Sequence, residues 1–136
     1  MTVKNFEELD IWKRSARLAV TLYNICKTDA PGMDWGLKDQ LRRASVSVPS
    51  NIAEGFARGT NAEFLRFLGI AKGSAAELKT QIYIAEGAGI IASATSRPMI
   101  KECGELAAMI GSLEEHLKKT TRKKSVRKAK TEELSH

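Results

Sequence analysis

Little in this 136-residue chain invites covalent chemistry: it holds two cysteines, two histidines, three prolines and 6% aromatic residues. Cys26 and Cys103 stand at apolar helix-period positions with no CxxC and no ligand cluster nearby. That argues for core filling, reduced thiols, and neither metal nor other cofactor. His116 stands alone near a helix end and His136 is the last residue, so neither has a triad partner or a metal set. No N-terminal hydrophobic stretch resembles a signal peptide. No apolar run approaches the roughly 20 residues that span a bilayer, so a cytoplasmic protein without a membrane partner is expected. There is no Walker loop, because Gly69-x-x-x-Gly73 sits inside a helical pattern rather than between strand and helix. Glu54, one turn before Arg58, reads as a structural pair rather than a general base. No catalytic residues stand out, and an enzyme is not expected.

What remains is a soluble composition, 43% apolar and 28% charged, in a chain about one domain long. Its net charge of +6 is unevenly placed. Residues 1–117 carry 14 basic and 14 acidic side chains, whereas residues 118–136 carry eight basic and two acidic ones. The chain therefore divides into a neutral body, 1–117, and a basic, flexible tail, 118–136. The tail's run of Lys118, Lys119, Arg122, Lys123, Lys124, Arg127, Lys128 and Lys130 contains no acid. Mutual repulsion should keep it extended until an anion neutralises it, and phosphate backbones are the natural anion. A merely solvated end is the alternative.

The body reads as four helices. Leu9, Trp12, Ala16, Ala19, Tyr23 and Cys26 recur at 3-4 spacing and predict a first helix over about Phe6 to Lys27, its stripe widened by Ile11, Leu18, Leu22 and Ile25. Asp29-Ala30-Pro31-Gly32 breaks it. A second helix over about Trp35 to Ala57 carries Pro49 in its interior, where a kink rather than a stop is expected. Thr60-Asn61-Ala62-Glu63 is a capping box for a long third helix with the core stripe Phe64, Leu68, Ala71, Ala75, Leu78, Ile82 and Ala85. Ser96-Arg97-Pro98 places a capping serine and a first-turn proline before the fourth, whose stripe is Cys103, Leu106, Ile110, Leu113 and Leu117. Short connections favour antiparallel neighbours. The expected fold is all-α, an antiparallel up-and-down four-helix bundle.

The second helix organises the rest. One apolar stripe holds Leu37, Leu41, Ala44, Val48, Ile52 and Gly55; another, nearly opposite, holds Val46, Pro49, Ala53 and Phe56. Two apolar faces imply the core on one side and a partner subunit on the other. On the third helix, Gly69 and Gly73, with Ala76 and Thr80, mark a small-residue side that admits a neighbouring helix. Val46, Pro49, Ala53, Phe56, Gly69 and Gly73 are thus the candidate oligomer interface.

The segments Gly36-Leu37-x-x-Gln40-Leu41-Arg42-Arg43-Ala44, Ser47-Val48-Pro49-Ser50-Asn51-Ile52-Ala53-Glu54-Gly55, Glu63-Phe64-x-x-Phe67-Leu68 and Ala71-x-Gly73-Ser74-x-x-Glu77-Leu78 resemble the bacterial four-helix-bundle proteins encoded by 23S rRNA intervening sequences. The resemblance covers about residues 5 to 117. In fold the chain is also similar to the accessory variability determinants of diversity-generating retroelements. Those are pentameric barrels with basic surfaces that bind nucleic acid and a reverse transcriptase. The resemblance implies a ring-forming, non-enzymatic bundle, a homopentamer, with a nucleic-acid partner, RNA or DNA.

The resulting expectation is electrostatic, largely sequence-independent binding through the tail and through Arg42, Arg43, Arg58 and Arg66, with ion pairing as the alternative for these arginines. The tail has no aromatic residue for base stacking. The rival reading is a protein-interaction scaffold whose partner is a protein such as a reverse transcriptase.

Overall fold

The computed structural model describes residues 2–28 and 34–134, apart from the side chains of residues 28 and 123–125. A 3-10 turn, Phe6–Glu8, leads through an extended Leu9 into α1, Asp10–Thr28. Then come α2, Trp35–Ala57; α3, Asn61–Gly87; and α4, Ser93–Leu134. The break expected at residues 29–32 lies outside the described residues. The four-helix bundle expected from the apolar spacing is the fold found. α2 lies against both α1 and α3, and α3 against α4, while α1 and α4 touch only sparingly.

Local chemistry sets the helix ends. Asp34 caps α2 by accepting the Leu37 amide at 2.7 Å, and Thr60 caps α3 by accepting the Glu63 amide at 3.2 Å. α3 closes with Gly89 at φ +75°; its N–H reaches the Glu86 carbonyl while the Ile90 N–H reaches that of Ala85. That double bond pattern needs a left-handed residue, which glycine supplies without strain.

The core stripes of α2 and α3 lie where the spacing places them, with Leu41, Ile52, Leu68, Leu78 and Ile82 fully buried. α1 is turned toward the widened side of its expected stripe. Its buried residues are Ile11, Ser15, Leu18, Ala19, Leu22 and Cys26, whereas Tyr23 is 39% exposed. Tyr23 instead lies under the Arg42 guanidinium, 5.4 Å from its ring centre. Both cysteines are free and buried, and burial pushes the Cys103 thiol up to about 11.

Two expectations change at α2. Pro49 is buried within the chain, and Phe56 packs edge-on against Phe64 of α3, so neither is an exposed interface residue. The second apolar face exists because α2 sits between α1 and α3 and needs two inner sides. Gly55 lies on the inner stripe as expected, and a Cβ there would stand 2.5 Å from the Phe67 Cβ. It lets α2 and α3 approach.

α4 differs from its expected bounds at both ends. It begins at Ser93, one turn before Ser96, whose buried hydroxyl donates to Glu86 rather than capping. Pro98 therefore sits in the second turn and forgoes the bond to the Ala94 carbonyl. At the other end the helix runs on to Leu134, where an extended tail was expected. From Ser112 to Leu134 there is neither glycine nor proline. Elongating an existing helix also avoids the nucleation cost that an isolated basic peptide would face.

Candidate nucleic-acid interface

The four bundle arginines are all engaged locally. Arg43 bonds Asp39 at 2.9 Å and Arg58 bonds Glu54 at 3.0 Å, each one turn apart on α2. Arg66 bonds Glu63 at 3.3 Å across the first turn of α3. Arg58 and Arg66 converge from two helices on the Phe67 ring, at 5.2 and 4.6 Å from its centre. Arg42 covers Tyr23, and its Nε is buried without a hydrogen-bond partner. A groove of about 610 Å³ runs along α2 here, lined by Tyr23, Arg42, Arg43, Val46, Ser50 and Asn51 among others. Exposed ion pairs of this kind contribute under about 1 kcal/mol, so they can exchange a carboxylate for a phosphate, but each holds its own counter-charge. Three of the four bundle arginines thus already carry a carboxylate partner, and Arg42 is held by Tyr23.

The end of α4 has the opposite character. Asn61 donates to Thr121 Oγ1 at 3.3 Å, so bundle contacts reach about one turn past the expected boundary at residue 117. Beyond Thr121 the helix continues for 13 residues to Leu134, roughly 20 Å at 1.5 Å per residue. Arg122, Arg127, Lys128 and Lys130 are exposed there; Lys118 is also exposed and pairs with Glu115 at 3.5 Å. The Lys123 and Lys124 side chains lie outside the described residues, although their backbone is helical. Thr120, Thr121 and Thr131 return their hydroxyls to the carbonyls four residues back, which leaves the charged groups as the main outward polar chemistry beside the exposed Val126 and Leu134.

Other ion pairs tie helix to helix. Lys72 of α3 meets the largely buried Glu114 of α4 at 2.6 Å. Arg14 of α1 donates to Glu102 and Glu105 of α4, which hold its guanidinium above the ordinary arginine range, and also to Met109 Sδ at 3.0 Å. At the α3–α4 corner, the Ser96 hydroxyl and then the Arg97 guanidinium hold the Glu86 carboxyl below its ordinary 4.5. Each of these joins elements of the fold. Among the described residues no group of three or more His, Cys, Asp or Glu could hold a metal. No helix there is long and apolar enough to cross a membrane.

Among the described residues nothing stands within 4 Å of a Cβ placed on Gly69 or Gly73. Ile70, Tyr83 and Ile84, at 44%, 45% and 59% exposure, widen that outer side of α3 into an apolar surface. Their signal in the sequence is that none of the three belongs to the inner stripe of this helix. On α2, Val46 is 40% exposed and Ala53 half-buried.

Residues 7–112 match the family model for the 23S rRNA-intervening sequence protein. The chain belongs to that family. Among solved structures it is similar to a protein of the S23 ribosomal protein family from Bacteroides thetaiotaomicron, itself described as having unknown function. The likeness has a TM-score of 0.71 at 20% identity, over 76% of this chain and 96% of that one, and so concerns the fold. No curated protein matches. The matched region stops at residue 112, so the projecting end of α4 lies beyond what the family describes.

Proposed function

We propose that this member of the family is a non-enzymatic, homo-oligomeric nucleic-acid-binding bundle, with binding that is electrostatic and largely independent of sequence. The observation that carries the reading is the placement of charge. The body to residue 117 is neutral and its Arg43, Arg58 and Arg66 are paired with carboxylates, while the excess of six positive charges belongs to residues 118–136, six of whose eight basic residues lie past Thr121 on α4. A polyanion gains from meeting unpaired cations, and each phosphate neutralised releases counter-ions. Several copies in one particle would present several such arms to one polymer and raise its affinity further.

Deleting residues 122–136 tests this while keeping Thr121 and its bond to Asn61. The truncated protein should stay helical and assembled. It should bind nucleic acid at least about tenfold more weakly at low salt, with a shallower slope of log affinity against log salt, since each lost phosphate contact removes about 0.9 from that slope. Unchanged affinity and slope would assign any binding to Arg42, Arg43, Arg58 and Arg66 instead.

The exposed Ile70, Tyr83 and Ile84 favour a second reading, in which the essential partner is a protein such as a reverse transcriptase. A particle whose own copies cover that side would leave it no room.

A further inference from the structure

We infer that the projecting end of α4 is a duplex-DNA reader that lies in the major groove, so that the protein prefers B-form DNA to double-stranded RNA and to single strands. The inference rests on the nucleic-acid reading above and gives it a partner class. Its starting point is the helical form of residues 122–134. An extended basic tail can follow any phosphate backbone, whereas a helix is a rod of about 10–12 Å diameter with its side chains. Such a rod fits the roughly 12 Å wide major groove of B-DNA. The major groove of A-form RNA is too deep and narrow to admit it.

The distribution of charge fits the same shape. Counting about 100° per residue, the Arg and Lys positions 122, 123, 124, 127, 128 and 130 cover about two thirds of the helix circumference. A rod lying on a flat phosphate surface would use one face only. In a groove, phosphates rise on both sides of the rod, and cations spread around it can reach both walls. The length of roughly 20 Å corresponds to about six base pairs at 3.4 Å each.

Competing partners fit less well. Residues 118–134 contain no aromatic side chain on which the bases of a single strand could stack. Val126, Ala129 and Leu134 are the segment's apolar residues, too few for the continuous apolar face that seats a helix in a lipid surface.

The test uses the full chain and three probes at one salt concentration: a 20-base-pair DNA duplex, the RNA duplex of the same sequence, and the single DNA strand. Anisotropy titration should show the DNA duplex bound at least tenfold more tightly than either other probe. Val126→Pro breaks the arm helix without altering charge, and circular dichroism would verify that the bundle persists. That variant should lose the DNA preference and keep its RNA affinity. Methyl green, a major-groove ligand, should compete with the protein, and netropsin, a minor-groove ligand, should not. Equal binding of the two duplexes, indifference to the proline, or competition by netropsin alone would overturn the groove assignment and leave a nucleic-acid-binding protein with a charged arm. Binding to anionic phospholipid vesicles but to none of the three probes would overturn both.

Discussion

Gly55 shows how one missing methyl group sets the spacing of two helices. A Cβ at this position would stand 2.5 Å from the Phe67 Cβ and 3.2 Å from Phe64 Cδ1, and the nearer atom is fixed to the α3 backbone and cannot swing aside. Alanine should gain about 1 kcal/mol of helix propensity but force α2 and α3 apart. Overpacking of that kind costs about 1–3 kcal/mol. Gly55→Ala is therefore expected to destabilise the fold by up to about 2 kcal/mol net, read as a fall in Tm of several degrees. An unchanged or higher Tm would mean that the two helices part without cost. Gly69 and Gly73 are the converse case. Nothing among the described residues crowds them, so the same letter in the sequence serves two different purposes.

At the scale of elements, the corner between α3 and α4 makes stability depend on pH. Glu86 is held in its charged form by Ser96 and Arg97, so its folded pKa lies below the ordinary 4.5. A carboxyl depressed in the folded state stabilises the fold above its unfolded pKa, and that contribution disappears as pH falls through the folded value. The Tm of the natural protein should thus exceed that of Glu86→Gln by a constant margin from neutral pH down to about 5.5, with the margin shrinking below pH 4.5. A margin that persisted at pH 3 would locate the effect in packing instead. This corner also shows what was legible beforehand. The α2 and α3 stripes could be read because one helix turn repeats every 3.6 residues and large apolar side chains mark it. Ser96 could not be assigned from local pattern, because a serine before a proline caps in one context and bonds a distant carboxylate in another. The rotation of α1 was hidden for a similar reason: Tyr23 counts as apolar in a pattern, yet it lies outward under Arg42. The helical course of the basic segment was hidden by its charge, since repulsion is visible in a sequence and the helix already nucleated upstream is not.

For the whole molecule, the proposed assembly turns on the open side of α3. A Cβ at position 73 would have no described atom within 4 Å, and leucine is a better helix former than glycine by roughly 0.5–1 kcal/mol. Helix content should therefore be kept while the mass of the particle in solution falls, the natural chain forming a closed cyclic homo-oligomer, the pentamer of the resemblance. A natural chain of monomer mass at micromolar concentration would remove the assembly, and an unchanged mass in the variant would move its interface elsewhere. The sparing contact between α1 and α4 has a consequence for how the bundle is reached in time. Each helix rests chiefly on its neighbour along the chain, so most native contacts close short loops, and the final meeting of the first and last helices adds little. A topology of such low contact order places the chain among the fast folders, in the microsecond to millisecond range, adding one hairpin of helices after another.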